Sequence, residues 1–283
     1  GYQIARLTAN ESLSNKLYAQ GINKCRRKEQ LRLQLSKIML DIQFGELHMA
    51  LESGIQALRE IGIKVSKNAG VISVAKEVLK TKWLLRGKKP EDIFHLPEMK
   101  DENAEMAFQI IFWMFKSAYY LNPELNGVLA LKTMQLTLKK GTNGESYSGL
   151  MAYGVITGAG TNNFSKAFEF CDIGNRLAEK YKNDSAVFYF GKAVYSAYKF
   201  PLRETLKYYT SAIEKGYESG DFIASAEPTV NETLTHFSAG FPLRILENRA
   251  LQNAVWCQDL KMKDFHDFQV MMLCQLSHLQ ITE

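Results

Sequence analysis

Residues 143–221 read as helix, tight turn, helix, and then the same again, and this repeat constrains the chain more than any other feature. Within each pair the second helix starts after a short break, GTNN at 160–163 or FPL at 200–202. Aligning the breaks places Ala167 on Thr205, a step of 38 residues. One helix pair cannot bury its own apolar face, so pairs of fixed period stack and bury it on their neighbours. The step continues in both directions. Val128 stands 39 residues before Ala167, Ala50 stands 78 before Val128, and Leu246 stands 41 after Thr205. The expected fold is all-α: a right-handed superhelix of antiparallel helix pairs, with about six repeats of roughly 39 residues. Such a fold offers a surface for binding rather than a ready catalytic pocket.

The elements follow from apolar spacing and from breakers. A first helix is expected near 12–20, with a break at Gly21 and Asn23. Next comes 27–43, whose Leu31, Leu35, Ile38 and Ile42 form one stripe at helical spacing. Its partner, 46–61, is stopped by Gly62, a residue favoured just past a helix end. A helix over 68–86 meets the break Gly87-Lys88-Lys89-Pro90, and Pro90 opens one short turn. The apolar run 102–121 ends at Asn122-Pro123, because the residue before proline leaves the helical region. Its partner, 124–140, is capped by Gly141. The last pair is 221–237 and 242–257, with Pro228 expected to kink the first helix or delay its start. A helix over 264–279 closes the chain. The expected organisation is one helical-repeat domain over 1–283. Residues 1–26 form an N-terminal cap, 27–257 the helix pairs, 64–99 a degenerate repeat, and 258–283 a C-terminal cap.

Gly45, Ala50 and Ala57 carry the Gly, Ala and Ala offsets of a tetratricopeptide unit, and the repeats resemble that family, without the large aromatic usual on its first helix. A closer resemblance rests on DIFHLPEM (92–99), AYYLNPEL (118–125), FPLRETL (200–206) and GYESGD (216–221). These strings are similar to the helical-repeat region of large bacterial signalling proteins, most clearly over 30–255. In that family the region follows a STAND-type predicted ATPase module. A serine/threonine-kinase-like domain often stands upstream, and GAF and histidine kinase domains downstream. The resemblance implies a non-catalytic sensor or scaffold that binds a protein, a peptide or a small effector. It would then relay to the neighbouring ATPase or kinase domains. Gly1 in place of an initiator Met fits an excised fragment.

The chain has no GxxxxGK[ST] loop, no kinase glycine-rich loop with HRD and DFG, and no histidine-kinase phosphoacceptor box. The nearest approach, GAGTNN at 158–163, lacks a lysine and follows a helix, so it reads as a turn. Cys25, Cys171, Cys257 and Cys274 are far apart and form no CxxC pair, which points to free thiols in a reducing, cytoplasmic setting. The five histidines also lack ligand spacing, so no metal and no cofactor is expected. The most apolar run, 106–121, is interrupted by Lys116 and is shorter than the ~20 residues a membrane span needs, so no membrane insertion is expected. Asp264, His266 and Asp267 form a local acid–imidazole group that a helix-start cap by Asp264 explains without catalysis.

Net charge is +5, but residues 1–100 carry 18 Lys/Arg against 10 Asp/Glu and the remainder 17 against 20. The basic clusters lie at 24–32 and 76–89. They leave open a nucleic-acid-associated module as the alternative, although no nucleic-acid motif accompanies them. Aromatic residues gather on the first helices of pairs, which line the inner face of a helical solenoid. By register, Ile110, Trp113, Ser117, Tyr120, Ala152, Phe190 and Asn231 are expected to face a bound ligand there.

Overall fold

The computed structural model describes residues 2–7, 11–260 and 262–281. Gly1 lies outside them, as do 8–10 of the expected N-terminal cap and 261 and 282–283 of the C-terminal one. Fifteen helices make up the described fold, and the one β-type contact is an isolated bridge. The chain divides into two compact units, Gly1–Ile156 and Thr157–Glu283.

The first unit contains α1 (Tyr2–Leu7), α2 (Glu11–Lys24), α3 (Arg27–Gln43), α4 (Leu47–Glu60), α5 (Val71–Leu84), α6 (Pro90–Phe94), α7 (Glu102–Leu121) and α8 (Pro123–Lys140). It also holds most of α9 (Ser146–Thr161), within which the division falls. Helices α3 and α7 begin and end where their apolar stripes and caps predict. The α7 start is held by Asp101, whose carboxylate accepts the backbone N–H groups of Asn103 and Ala104 at 3.1 Å, satisfying donors a helix start otherwise leaves bare. Helix α2 runs through Gly21 to Lys24 instead of breaking there. A single glycine costs a helix only about 1 kcal/mol, which α2 tolerates with its neighbours on α1 and α3.

Helix α7 packs against both α3 and α4, and α8 folds back on α7. The core gathers at these junctions, with Ile38, Leu58, Phe108, Ile111, Met114, Leu129 and Met134 almost wholly shielded from solvent. The 64–99 segment therefore does not stand between the pairs on either side of it. Instead α5 lies along α8. The contact is polar at its centre. The Glu77 carboxylate accepts from Lys132 Nζ and from Gln135 Nε2, each at 2.8 Å, and Gln135 also donates to Thr81 Oγ1. Burial alone would push the Glu77 carboxyl up, but the hydrogen bonds and charge of its partners more than offset it, holding it below the ordinary range. At Lys132 burial wins, and the ammonium sits below its ordinary value despite the carboxylate.

After α6 the chain pairs briefly with the end of α8. Met99 N–H donates to Thr142 O at 2.8 Å and Thr142 N–H to Pro97 O at 2.9 Å. Gly141, at φ +102°, makes this approach possible, since a Cβ there would lie 2.2 Å from Pro97 O.

The second unit contains the end of α9, then α10 (Phe164–Lys180), α11 (Ala186–Ser196), α12 (Leu202–Ser219), α13 (Phe222–Ser238), α14 (Leu243–Asp259) and α15 (Lys263–Ile281). Each helix packs on the next from α10 to α15, and α15 also touches α13. Small residues set the spacing: Ala193, Ala212, Ala226 and Ala250 are fully buried. Pro228 neither ends α13 nor delays its start, and the helix runs on from Phe222 to Ser238. Packing of α13 against α11, α12, α14 and α15 outweighs the lost backbone bond. The interior of α13 is polar. The Glu232 carboxylate, 1% exposed, accepts from Arg249 through both Nε and Nη2, and Thr210 Oγ1 lies 3.3 Å away. Thr233 donates to Thr229 O and meets Gln269 Oε1 at 3.2 Å.

The repeat register holds in both units. Ala50, Val128, Ala167, Thr205 and Leu246 all lie near the starts of second helices, and all are buried. Asp264 falls one residue inside α15, in its first turn, where an acid complements the helix dipole rather than capping the start.

Candidate binding surface

The residues expected to line a groove fall in both units, and each group is described within its own. On α7, Ile110 and Ser117 are fully buried. They pack inside the first unit instead of facing a ligand. The physical reason is that α3, α4 and α8 cover most of α7, so the stripe Ala107, Ile110, Met114 and Ser117 is core. Trp113 and Tyr120 lie on the narrow strip that remains, with Trp113 half-buried beneath Lys116 Nζ at 5.1 Å and Tyr120 exposed against Tyr119. Ala152 is half-buried on α9. In the second unit, Phe190 packs on Tyr209 at 6.2 Å, and Asn231 is half-buried, its Nδ2 donating to the Glu227 carbonyl on its own helix. Tyr147, Tyr153 and Tyr195 are core residues.

A denser surface lies where α10, α11 and α12 meet, and the register reasoning missed it. The turn after α11 carries Tyr198, Lys199 and Phe200, all exposed. Tyr198 stacks on Phe164 with centroids 4.9 Å apart and planes at 9°. Lys199 Nζ stands 5.2 Å from the Phe168 ring and 5.5 Å from that of Phe200. On the neighbouring turns Lys192 Nζ is 5.1 Å, and Lys207 Nζ 5.0 Å, from the Tyr208 ring. Lys192 also reaches Glu179 at 3.7 Å. Among the described residues no carboxylate lies within ion-pair distance of Lys199 or Lys207. Their ammonium groups rest over ring faces instead, an attraction worth about 0.5–1 kcal/mol each at exposed sites.

Between these groups opens a shallow cleft of about 130 Å³, lined by Ser196, Phe200, Glu204, Thr205, Lys207 and Tyr208. That is well below the roughly 300–1,000 Å³ of ligand pockets, so the cleft is a surface notch with room for one side chain of a docked segment. Its signal in the sequence was the alternation of lysine with Tyr and Phe over 188–208, a pattern that reads equally as helix surface.

The other candidate chemistries resolve into local structure. Lys263 and Asp267 form an i,i+4 pair at 2.7 Å, with His266 Nδ1 3.1 Å from the same carboxylate, all on α15. The hydrogen bond from Lys263 holds the Asp267 carboxyl below its ordinary range, which suits an ion pair and not a proton acceptor poised near neutrality. GAGTNN is not a turn throughout: Gly158–Thr161 are the last turn of α9, and Asn162 and Asn163 alone join it to α10. Two cations of the basic cluster at 24–32 are engaged: Arg27 donates to the Glu60 carbonyl and Lys28 pairs with Glu102 at 2.9 Å. Among the described residues no group of His, Cys, Asp or Glu could hold a metal ion, and no helix is long and apolar enough to cross a membrane. Burial pushes the Cys171 thiol up to about 12 and that of Cys257 up to about 11, the reverse of an activated nucleophile. The chain matches no protein-family model, no curated protein and no solved structure.

Proposed function

We propose that this chain is a non-catalytic docking region and that the α10–α12 surface receives an acidic, aromatic-containing segment of a partner protein. The observation that carries this reading is the pair of ammonium groups, Lys199 and Lys207, that lack carboxylate partners and flank a half-open cleft with aromatic walls. A carboxylate from a ligand completes each lysine, and an aromatic side chain finds Phe200 and Tyr208 in the cleft. The stacked-helix architecture supports it, since such folds present surfaces and leave chemistry to other domains. The resemblance to bacterial signalling proteins extends the proposal. Occupancy of the surface would be relayed to an attached ATPase or kinase domain if it favoured one arrangement of the helices.

The test is a fluorescence titration with a labelled peptide alternating Glu and Phe, against the wild type and the double variant Lys199→Glu/Lys207→Glu. Exposed ion pairs are worth about 0.2–1 kcal/mol each and reversal adds repulsion, so affinity should fall roughly 10- to 100-fold. An unchanged affinity in the charge-reversed variant would refute the assignment.

A further inference from the structure

Helix α5 is covered on one side only. Its residues Val74, Glu77 and Thr81 lie toward α8, where Val74 is the nearest neighbour of Gly127 and Glu77 holds Lys132. The opposite face carries Ile72, Lys76, Leu79 and Trp83, spaced by four, three and four residues, which is one row on a helix, and Arg86 follows in the turn after α5. Ile72 is 86% exposed, Leu79 68% and Trp83 70%. A tryptophan so exposed, in line with two large aliphatics, is a contiguous apolar strip rather than scattered surface.

The first helices α3, α7, α11 and α13 each lie against a full second helix of their own pair. At α5 that second member has shrunk to α6, a helix of five residues. The row of Ile72, Leu79 and Trp83 is thus the face of a first helix without its mate. Its charge is one-sided. Among the described residues Lys76, Lys82 and Arg86 have no carboxylate partner, and the Glu77 that Lys80 approaches at 4.0 Å is already committed to Lys132.

We infer that this face of α5 docks an acidic amphipathic helix of a partner protein, which takes the place of the missing second helix. Its apolar residues meet Ile72, Leu79 and Trp83, and its flanking carboxylates meet Lys76, Lys82 and Arg86. The layout favours a helix over a lipid surface. A helix lying in a membrane spreads a broad apolar face and keeps its cations on the other side. Here Lys76 stands in the apolar row itself, between Ile72 and Leu79, and Arg86 stands in the turn just beyond Trp83.

The probe is a labelled 18-residue helical peptide with Leu at i, i+4, i+7 and i+11 and Glu on both flanks, titrated into the full chain at low salt. A scrambled peptide of equal composition is the control. The acidic helix should bind and the scrambled one should not. Leu79→Ser/Trp83→Ser should weaken binding at least 10-fold, as should Lys76→Glu/Lys82→Glu/Arg86→Glu, while thermal melts stay unchanged because these side chains are exposed. Lys199→Glu/Lys207→Glu should leave this binding intact, which separates the α5 face from the α10–α12 surface. Equal binding of both peptides, or binding that survives the α5 variants, overturns the inference. Binding to phosphatidylserine vesicles without peptide binding overturns it in favour of a membrane, and self-association abolished by Trp83→Ser without peptide binding overturns it in favour of a second copy of the chain.

Discussion

Gly216 sits where α12 and α13 approach most closely, and replacing it tests the packing of the second unit. A Cβ at Gly216 would lie 2.7 Å from Ser225 N and 2.9 Å from its Cα and Cβ. The N and Cα are backbone atoms of the facing helix and the Cβ is fixed to it, so no side-chain rotation relieves the clash and the helices must separate. Overpacking of this kind costs about 1–3 kcal/mol. Separation also stretches the hydrogen bond from Ser225 Oγ to the Ile213 carbonyl, which spans the same junction and is worth about 1 kcal/mol. Against this, alanine is a better helix former than glycine by about 1 kcal/mol. The net expectation for Gly216→Ala is a loss of about 2 kcal/mol, or about 4–8 °C in Tm for a body of this size. Gly127→Ala is the matched control. It is also mid-helix, but its Cβ would meet Val74 side-chain carbons at 3.7 and 3.8 Å, an ordinary contact. That variant should gain about 0.5–1 kcal/mol from propensity alone. Urea unfolding followed by circular dichroism measures both. If Gly216→Ala proves as stable as Gly127→Ala, the close α12–α13 approach is wrong.

Arg249→Met should destabilise the chain by about 2 kcal/mol in urea, because it leaves the Glu232 carboxylate buried without its cation; the usual 3–5 kcal/mol is reduced by the partial exposure of Arg249. The hydrogen bond from Lys140, followed by that from the Ala104 N–H, holds the Asp101 carboxyl below its ordinary 3.8, so its contribution is present above that pH and fades as pH falls through the lower folded value. Asp101→Ala should therefore cost about 1 kcal/mol at pH 7 and progressively less below pH 4, read as converging melting curves. With a disulfide-exchange reagent, Cys274 should react fastest in the native protein, while buried Cys171 and Cys257 wait for unfolding; fast native reaction of either would contradict their burial.

The sequence was most legible where several local signals agreed. Helix α7 could be placed to the residue because an acidic cap, an apolar run and an Asn-Pro stop coincide. The repeat register was legible because α4, α8, α10, α12 and α14 each bury a residue near their start, whether Ala50 or the larger Leu246. Tertiary effects were not legible. A period of 39 gives no sign that α5 lies along α8 instead of between α4 and α7, since that choice depends on the Glu77–Lys132–Gln135 contact. Nor could it tell which side of α7 stays open. One face of a helix is called inner only relative to its neighbours, and three neighbours turned Ile110 and Ser117 into core. At Pro228 the delayed start did not occur, with four helices packed on α13. The lysine–aromatic surface was hidden because its cations and rings come from three helices and read as ordinary surface in each.

The placement of α5 beside α8 has a consequence for the nascent chain. The α3–α4 pair finds its cover in α7, not in the helix that follows it, and 41 residues, 61 to 101, separate the two. At about 5–20 residues per second a ribosome needs roughly 2–8 s to synthesise that stretch. For those seconds Leu51, Ala57 and Leu58 have no partner to stack on. The chain leaves its earliest apolar face waiting longest, and in that interval a chaperone or a neighbouring nascent chain competes with α7 for it.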